Sequence, residues 1–124
     1  MTENRPKHLD LLKIELPLPG WVSILHRISG AALFLFIPFL LWLLQFSLVS
    51  PESFAGFKSS LANPLVKLIL LGLLWAFLHH FLAGIRYLAL DVHWGTELSQ
   101  ARMTSVAVLV VSIVLTLLIG AWLW

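Results

Sequence analysis

The chain has 124 residues, of which 60% are hydrophobic and only 11% charged, and its mean hydropathy is +0.95. A soluble domain of that composition has too little polar surface to face water, and the length allows one domain with no separate extramembrane catalytic unit. A net charge of +2, scattered along the chain, argues against nucleic-acid binding, and the lack of cysteine excludes disulfides, thiolate zinc sites, iron–sulfur clusters and covalent c-type haem within the chain.

Residues 1–20 carry mixed charges together with Pro6, Pro17 and Pro19, unlike the basic start and apolar stretch of a signal peptide, and read as a retained cytoplasmic arm. The first apolar run, residues 21–49, is long enough to span a bilayer. Ser50-Pro51-Glu52-Ser53 interrupts it with residues that favour turns or helix starts, opening a connection over residues 50–60. The second run, residues 61–91, contains Asn63-Pro64, a suitable helix start because proline in the first turn loses no hydrogen bond. A polar connection over residues 92–102 leads to a third apolar run, 103–124, rich in Val, Leu and Ile. A bilayer core needs about 20 apolar residues as helix, which each run supplies, and only helices satisfy the backbone in lipid without closing a barrel. The expected architecture is an all-α membrane protein of three transmembrane helices.

The basic residues give the orientation. Arg5, Lys7, Lys13, Arg27, Arg86 and Arg102 fall on one side, and only Lys58 and Lys67 on the other. Cytoplasmic segments near spans carry the excess of Lys and Arg, so the N-terminus is expected in the cytoplasm, with residues 50–60 and the C-terminus in the periplasm. Trp21 and Trp94 then serve as interfacial anchors on the cytoplasmic side and Trp122 and Trp124 on the other.

Ionisable residues inside the spans carry most of the functional information, because burying them in hydrocarbon costs several kcal/mol without a partner or a purpose. In the first span Ser23, His26, Arg27 and Gly30 recur at i, i+3, i+4 and i+7, a polar face near one helix end. Such a face either meets a polar ligand or consists of an Arg reaching to the headgroups and a His bonded to a neighbouring carbonyl. In the second span Gly72, Ala76, His80, Gly84 and Leu88 recur every fourth residue and set His80 among small residues, where a flat ligand or a neighbouring helix can approach. Neutral imidazole is a strong axial ligand for haem iron, and the alternative is a His80 hydrogen-bonded to another helix. His79 points about 100° away, so one helix cannot offer both histidines to the same iron face.

Three motifs in order, RPKHLDL from Arg5, SILHRISG from Ser23 and HxxxGIRYLxxD from His80, resemble the cytochrome b membrane-anchor subunit of succinate dehydrogenase. The likeness covers Arg5 to Asp91, while the third span is generic. Two positions depart from the family pattern: Tyr87 stands where many relatives carry His, and a His79-His80 pair stands where one His is usual. Counting back from Gly84 selects His80.

The resemblance implies half of a haem-binding helical bundle, completed by a second anchor subunit, in a complex with a flavoprotein that oxidises succinate and an iron–sulfur subunit. It implies haem b shared between the anchors, with His80 as one axial ligand and a histidine of the other anchor as the second. Ubiquinone is the implied substrate, bound near the cytoplasmic end by Ser23 and Arg27, with His26, Arg27 and Arg86 as candidates for the haem propionates. The implied location is the bacterial inner membrane. An anchor of a quinol:fumarate reductase shares this architecture, and a haem-free structural anchor would show the same spans. A channel or transporter subunit would instead carry broken helices or ionisable residues near midspan on several helices, and the third span has none.

Overall fold

The computed structural model of the chain describes Asp10 and residues 12–124, so Arg5 to Leu9 and Leu11 of the first motif lie outside the described residues. Four helices follow in order: α1 (Leu18–Leu48), α2 (Pro51–Ala62), α3 (Pro64–Asp91) and α4 (Leu98–Leu123). Three of them, α1, α3 and α4, are long and apolar enough to cross a membrane. At 1.5 Å per residue their 31, 28 and 26 residues reach roughly 39–47 Å, beyond the ~30 Å hydrocarbon core. Their ends therefore tilt or project into the interface.

Local chemistry sets the boundaries. Pro17 caps α1 with its carbonyl, which accepts from the amides of Gly20 and Trp21 at 2.8 and 3.3 Å, and Pro19 occupies the first turn, where its missing N–H costs nothing. Pro38 lies inside α1 and removes one ladder bond there.

The connection after α1 is itself helical. Ser50 and Ser53 cap α2 reciprocally: Ser53 N–H donates to Ser50 Oγ at 3.1 Å and Ser50 N–H donates to Ser53 Oγ at 2.9 Å, with Pro51 in the first turn. A single residue, Asn63, separates α2 from α3, and its side-chain oxygen accepts from Leu65 N–H at 2.9 Å to start α3.

The end of α3 is a Schellman turn. Trp94 N–H reaches back to the Ala89 carbonyl at 3.0 Å and His93 N–H to that of Leu90 at 2.9 Å, with His93 in the left-handed region at φ 63°. Gly95, at φ 79°, completes the reversal into α4.

Helix α3 is the central element and packs against both α1 and α4. Val22, Ala83 and Val108, one from each spanning helix, form the apolar centre. The buried face of α4 is built from small and hydroxylated residues: Ser105, Val108, Ser112, Thr116 and Gly120. Ser105, Ser112 and Thr116 return their hydroxyls to carbonyls of Ala101, Leu109 and Ser112 on their own helix, so they bring backbones close without leaving a donor unmet. Outward, Phe34, Leu35, Phe77, Phe81, Leu117 and Leu118 are exposed, as lipid-facing side chains are.

Arg86 ties α3 to α4. It is buried, and its Nε donates to Thr104 Oγ1 at 3.0 Å and its Nη2 to the Ala101 carbonyl at 3.4 Å. Hydrogen bonds made by a charged group are worth about 1.5–3 kcal/mol each. Arg86→Leu is accordingly expected to lower the thermal stability of the solubilised protein by several degrees, and Thr104→Val by less. Melting followed by loss of native assembly checks both.

Candidate functional site

The first-span motif folds as two successive helical turns whose polar residues fan outward from the buried Val22 and Ser29. Ser23 is half-buried and Arg27 exposed. His26 faces α3, and Gly30 is one turn further along.

Against that segment sits His80 of α3. Its Nδ1 is 3.0 Å from the His26 carbonyl oxygen and 3.3 Å from Ser29 Oγ, while Ser29 donates to the same carbonyl at 2.9 Å. A carbonyl can only accept, so the nitrogen facing it carries the proton: Nδ1–H donates, and Ser29 receives rather than gives along the His80 edge. That tautomer leaves the Nε2 lone pair free. An axial imidazole requires this arrangement, with one nitrogen donating to a backbone carbonyl and the other offered to the metal. The His80 ring thus fits the group that the motif implies.

Two further contacts hold the ring. His26 stacks on it with centroids 4.1 Å apart and planes 9° from parallel. Gly30 presents bare backbone to its edge, and a Cβ there would stand 2.8 Å from His80 Cε1 and 3.2 Å from Nδ1, closer than atoms pack. Tyr87 in turn tilts against His26, at 5.1 Å and 52°. Helix α3 supplies the imidazole and α1 its mounting.

His79 faces elsewhere. It is fully buried in the bundle, stacked on Trp75 at 5.1 Å, and among the described residues neither of its ring nitrogens has a hydrogen-bond partner, nor does the Tyr87 hydroxyl. The four-residue stripe drawn through His80 is not one face either: each four-residue step turns the helix ~40°, so Ala76 is buried, His80 is half-buried and Leu88 is 68% exposed.

Arg86 is not brought to the His26–His80 pair. Its nitrogens bond to α4 as described, and its guanidinium carbon lies 5.6 Å from the Tyr87 ring centre. His26 and His80, by contrast, meet across the α1–α3 seam, and Ser23 and Arg27 lie within one turn of His26 on α1. Among the described residues no cluster of three or more His, Asp or Glu side chains could hold a bare metal ion, and His80 offers a single ligand.

Ser29 was legible in sequence only as part of the SILHRISG motif, and Gly30 as the end of its polar face. Their spacing of three and four residues from His26 was the available signal, but the partner they serve lies some fifty residues away.

Residues 1–119 match the family described as succinate dehydrogenase/fumarate reductase transmembrane subunit. The chain is 39% identical to the succinate dehydrogenase cytochrome b556 subunit of Coxiella burnetii over the full length of both chains. It is 38% identical to the subunit of that name from Paracoccus denitrificans, over 93% of this chain and 88% of the relative. Identity to the Rickettsia felis cytochrome b556 subunit is 31%, over 90% of this chain and 86% of the relative.

Proposed function

Since the chain belongs to the succinate dehydrogenase/fumarate reductase transmembrane subunit family, as a multi-pass cytochrome b membrane anchor, we propose that it binds haem b through His80 and forms part of a ubiquinone-reduction site through Ser23 and Arg27. The observation that carries the reading is the His80 imidazole, whose Nδ1 is committed to the His26 carbonyl and whose Nε2 is free. The partners are a flavoprotein subunit, an iron–sulfur subunit and a second membrane anchor, the last supplying the other axial histidine. The assembly sits in the bacterial inner membrane. When bound, the haem supplies a one-electron carrier within the membrane span.

What this chain's own residues contribute is recognition and charge stabilisation. Ubiquinone takes up two electrons that originate from succinate and two protons, and negative charge builds on its oxygens before protonation. Arg27, a permanent cation on the outward side of α1, offsets that charge in a low-dielectric pocket, and the Ser23 hydroxyl one turn away donates to a quinone oxygen. Arg27 is also the proposed partner of a haem propionate. His26 and Arg86, the other propionate candidates, have neighbours of their own, respectively the His80 and Tyr87 rings and α4. The same contacts would serve an enzyme that runs from quinol to fumarate, since direction depends on cofactor potentials outside this chain.

The site's placement at the cytoplasmic end follows from the six-to-two distribution of basic residues. With no native cysteine, Lys13→Cys and Ser59→Cys provide single labelling points. An impermeant maleimide added from the periplasm is expected to label position 59 and not position 13. The reverse pattern would turn the chain over and move the quinone site to the other surface.

A further inference from the structure

We propose that His26 acts on the haem as a positioning residue, through the face of its ring: stacked on His80, it fixes with Gly30 the rotation of the axial imidazole. The inference rests on the reading of His80 as axial ligand and extends it to the device that holds the ligand.

A histidine side chain has two free torsions, and a single hydrogen bond at Nδ1 fixes where Nε2 points while still letting the ring rock about the Nδ1···O line. The His26 ring removes that freedom on one face, because two planes 9° apart at 4.1 Å cannot rotate against each other without collision. Gly30 removes it at the edge: its backbone lies so close to Cε1 and Nδ1 that no side chain fits between. The hydrogen bond and both contacts arise from one stretch of α1, residues 26–30, so hydrogen bond, stack and edge move together. His26 also packs against the Tyr87 ring. The plane of an axial imidazole determines its overlap with the iron d orbitals, and hence the anisotropy of the low-spin ferric signal.

The two roles for His26 separate by substitution. Phenylalanine preserves a flat ring and the backbone carbonyl but can neither donate nor accept, whereas alanine preserves the carbonyl alone. The purified four-subunit complex carrying His26→Phe is expected to keep the parental low-spin electron paramagnetic resonance gmax. His26→Ala is expected to show a displaced and broadened gmax at unchanged haem content, and Gly30→Ala a displaced gmax as well. Equal perturbation by Phe and Ala would assign His26 to a hydrogen bond and overturn the proposal, as would parental spectra from both. Should Gly30→Ala not assemble, the His26 pair still decides. Failure of the underlying reading looks different: a parental spectrum in His80→Leu would remove the ligand itself, whatever the His26 variants show.

Discussion

Replacing His80 with leucine is expected to abolish the low-spin, bis-imidazole haem signal of the assembled complex, while His79→Leu leaves it in place. The two residues are neighbours in sequence, but the fold separates them. His80 stands half-buried on the α1–α3 seam with one nitrogen bonded to the His26 carbonyl and the other free, and His79 is sealed in the interior against Trp75. Loss of a supporting partner of a metal ligand already costs about 10–100-fold in affinity, and loss of the ligand itself costs at least the upper end of that range. Haem release, or a high-spin spectrum with the partner's histidine as sole ligand, are both expected forms of the result. His79→Leu removes two buried nitrogens that have no partner and substitutes an apolar side chain in an apolar interior, a change expected to be neutral or mildly stabilising. If His79→Leu lost the spectrum and His80→Leu kept it, the assignment would be reversed.

The second large effect is expected at Arg27. Removing a charged donor that stabilises a developing oxyanion costs on the order of 2.7–4 kcal/mol, or 10²–10³ in turnover. Arg27→Leu is therefore expected to depress succinate-driven quinone reduction by about that factor, and Ser23→Ala by roughly tenfold or less, as suits a neutral hydrogen bond of ~0.5–1.5 kcal/mol. Succinate oxidation with a soluble artificial acceptor should be nearly unchanged in both, because the proposed function assigns that reaction to the other subunits. Arg27 is exposed in this chain, so its replacement leaves the chain's own packing intact and an activity loss cannot be laid to misfolding. Full quinone turnover by a well-assembled Arg27→Leu complex would exclude the residue from the site.

The three spans were legible because lipid demands what a sequence displays: about twenty apolar residues in a row, broken by Ser-Pro and Asn-Pro starts. The 100° offset between His79 and His80 was legible for the same reason, as it follows from helix geometry alone. The helical connection α2 was harder to see. Its cap joins Ser50 to Ser53, and serine at the third helical position is a weaker signal than the Glu or Gln of the usual capping box. The third span reads as generic Val, Leu and Ile, yet its Ser105, Ser112, Thr116 and Gly120 form the face that meets the other helices. Small residues among large ones make no impression on hydropathy.

What no local pattern discloses is pairing across the chain. Arg86 read as one of six basic residues on one side, and its burial against Thr104 depends on the Schellman turn at His93 folding α4 back alongside α3. Gly30 read as part of a polar stripe. Its use is to let an imidazole fifty residues distant approach within a space that a methyl group would fill. Such contacts belong to the packed bundle, and a helical wheel can indicate the face involved but not the partner.

The central claim is that this chain is a haem-bearing anchor of a succinate:quinone oxidoreductase, and the most direct measurement is the dithionite-reduced minus oxidised absorption spectrum of the complex purified through a tag on this chain. The account predicts a b-type reduced band that copurifies with a flavoprotein, an iron–sulfur protein and one further small membrane chain. Copurification of those chains with no haem band would contradict it, and would leave a haem-free anchor in its place.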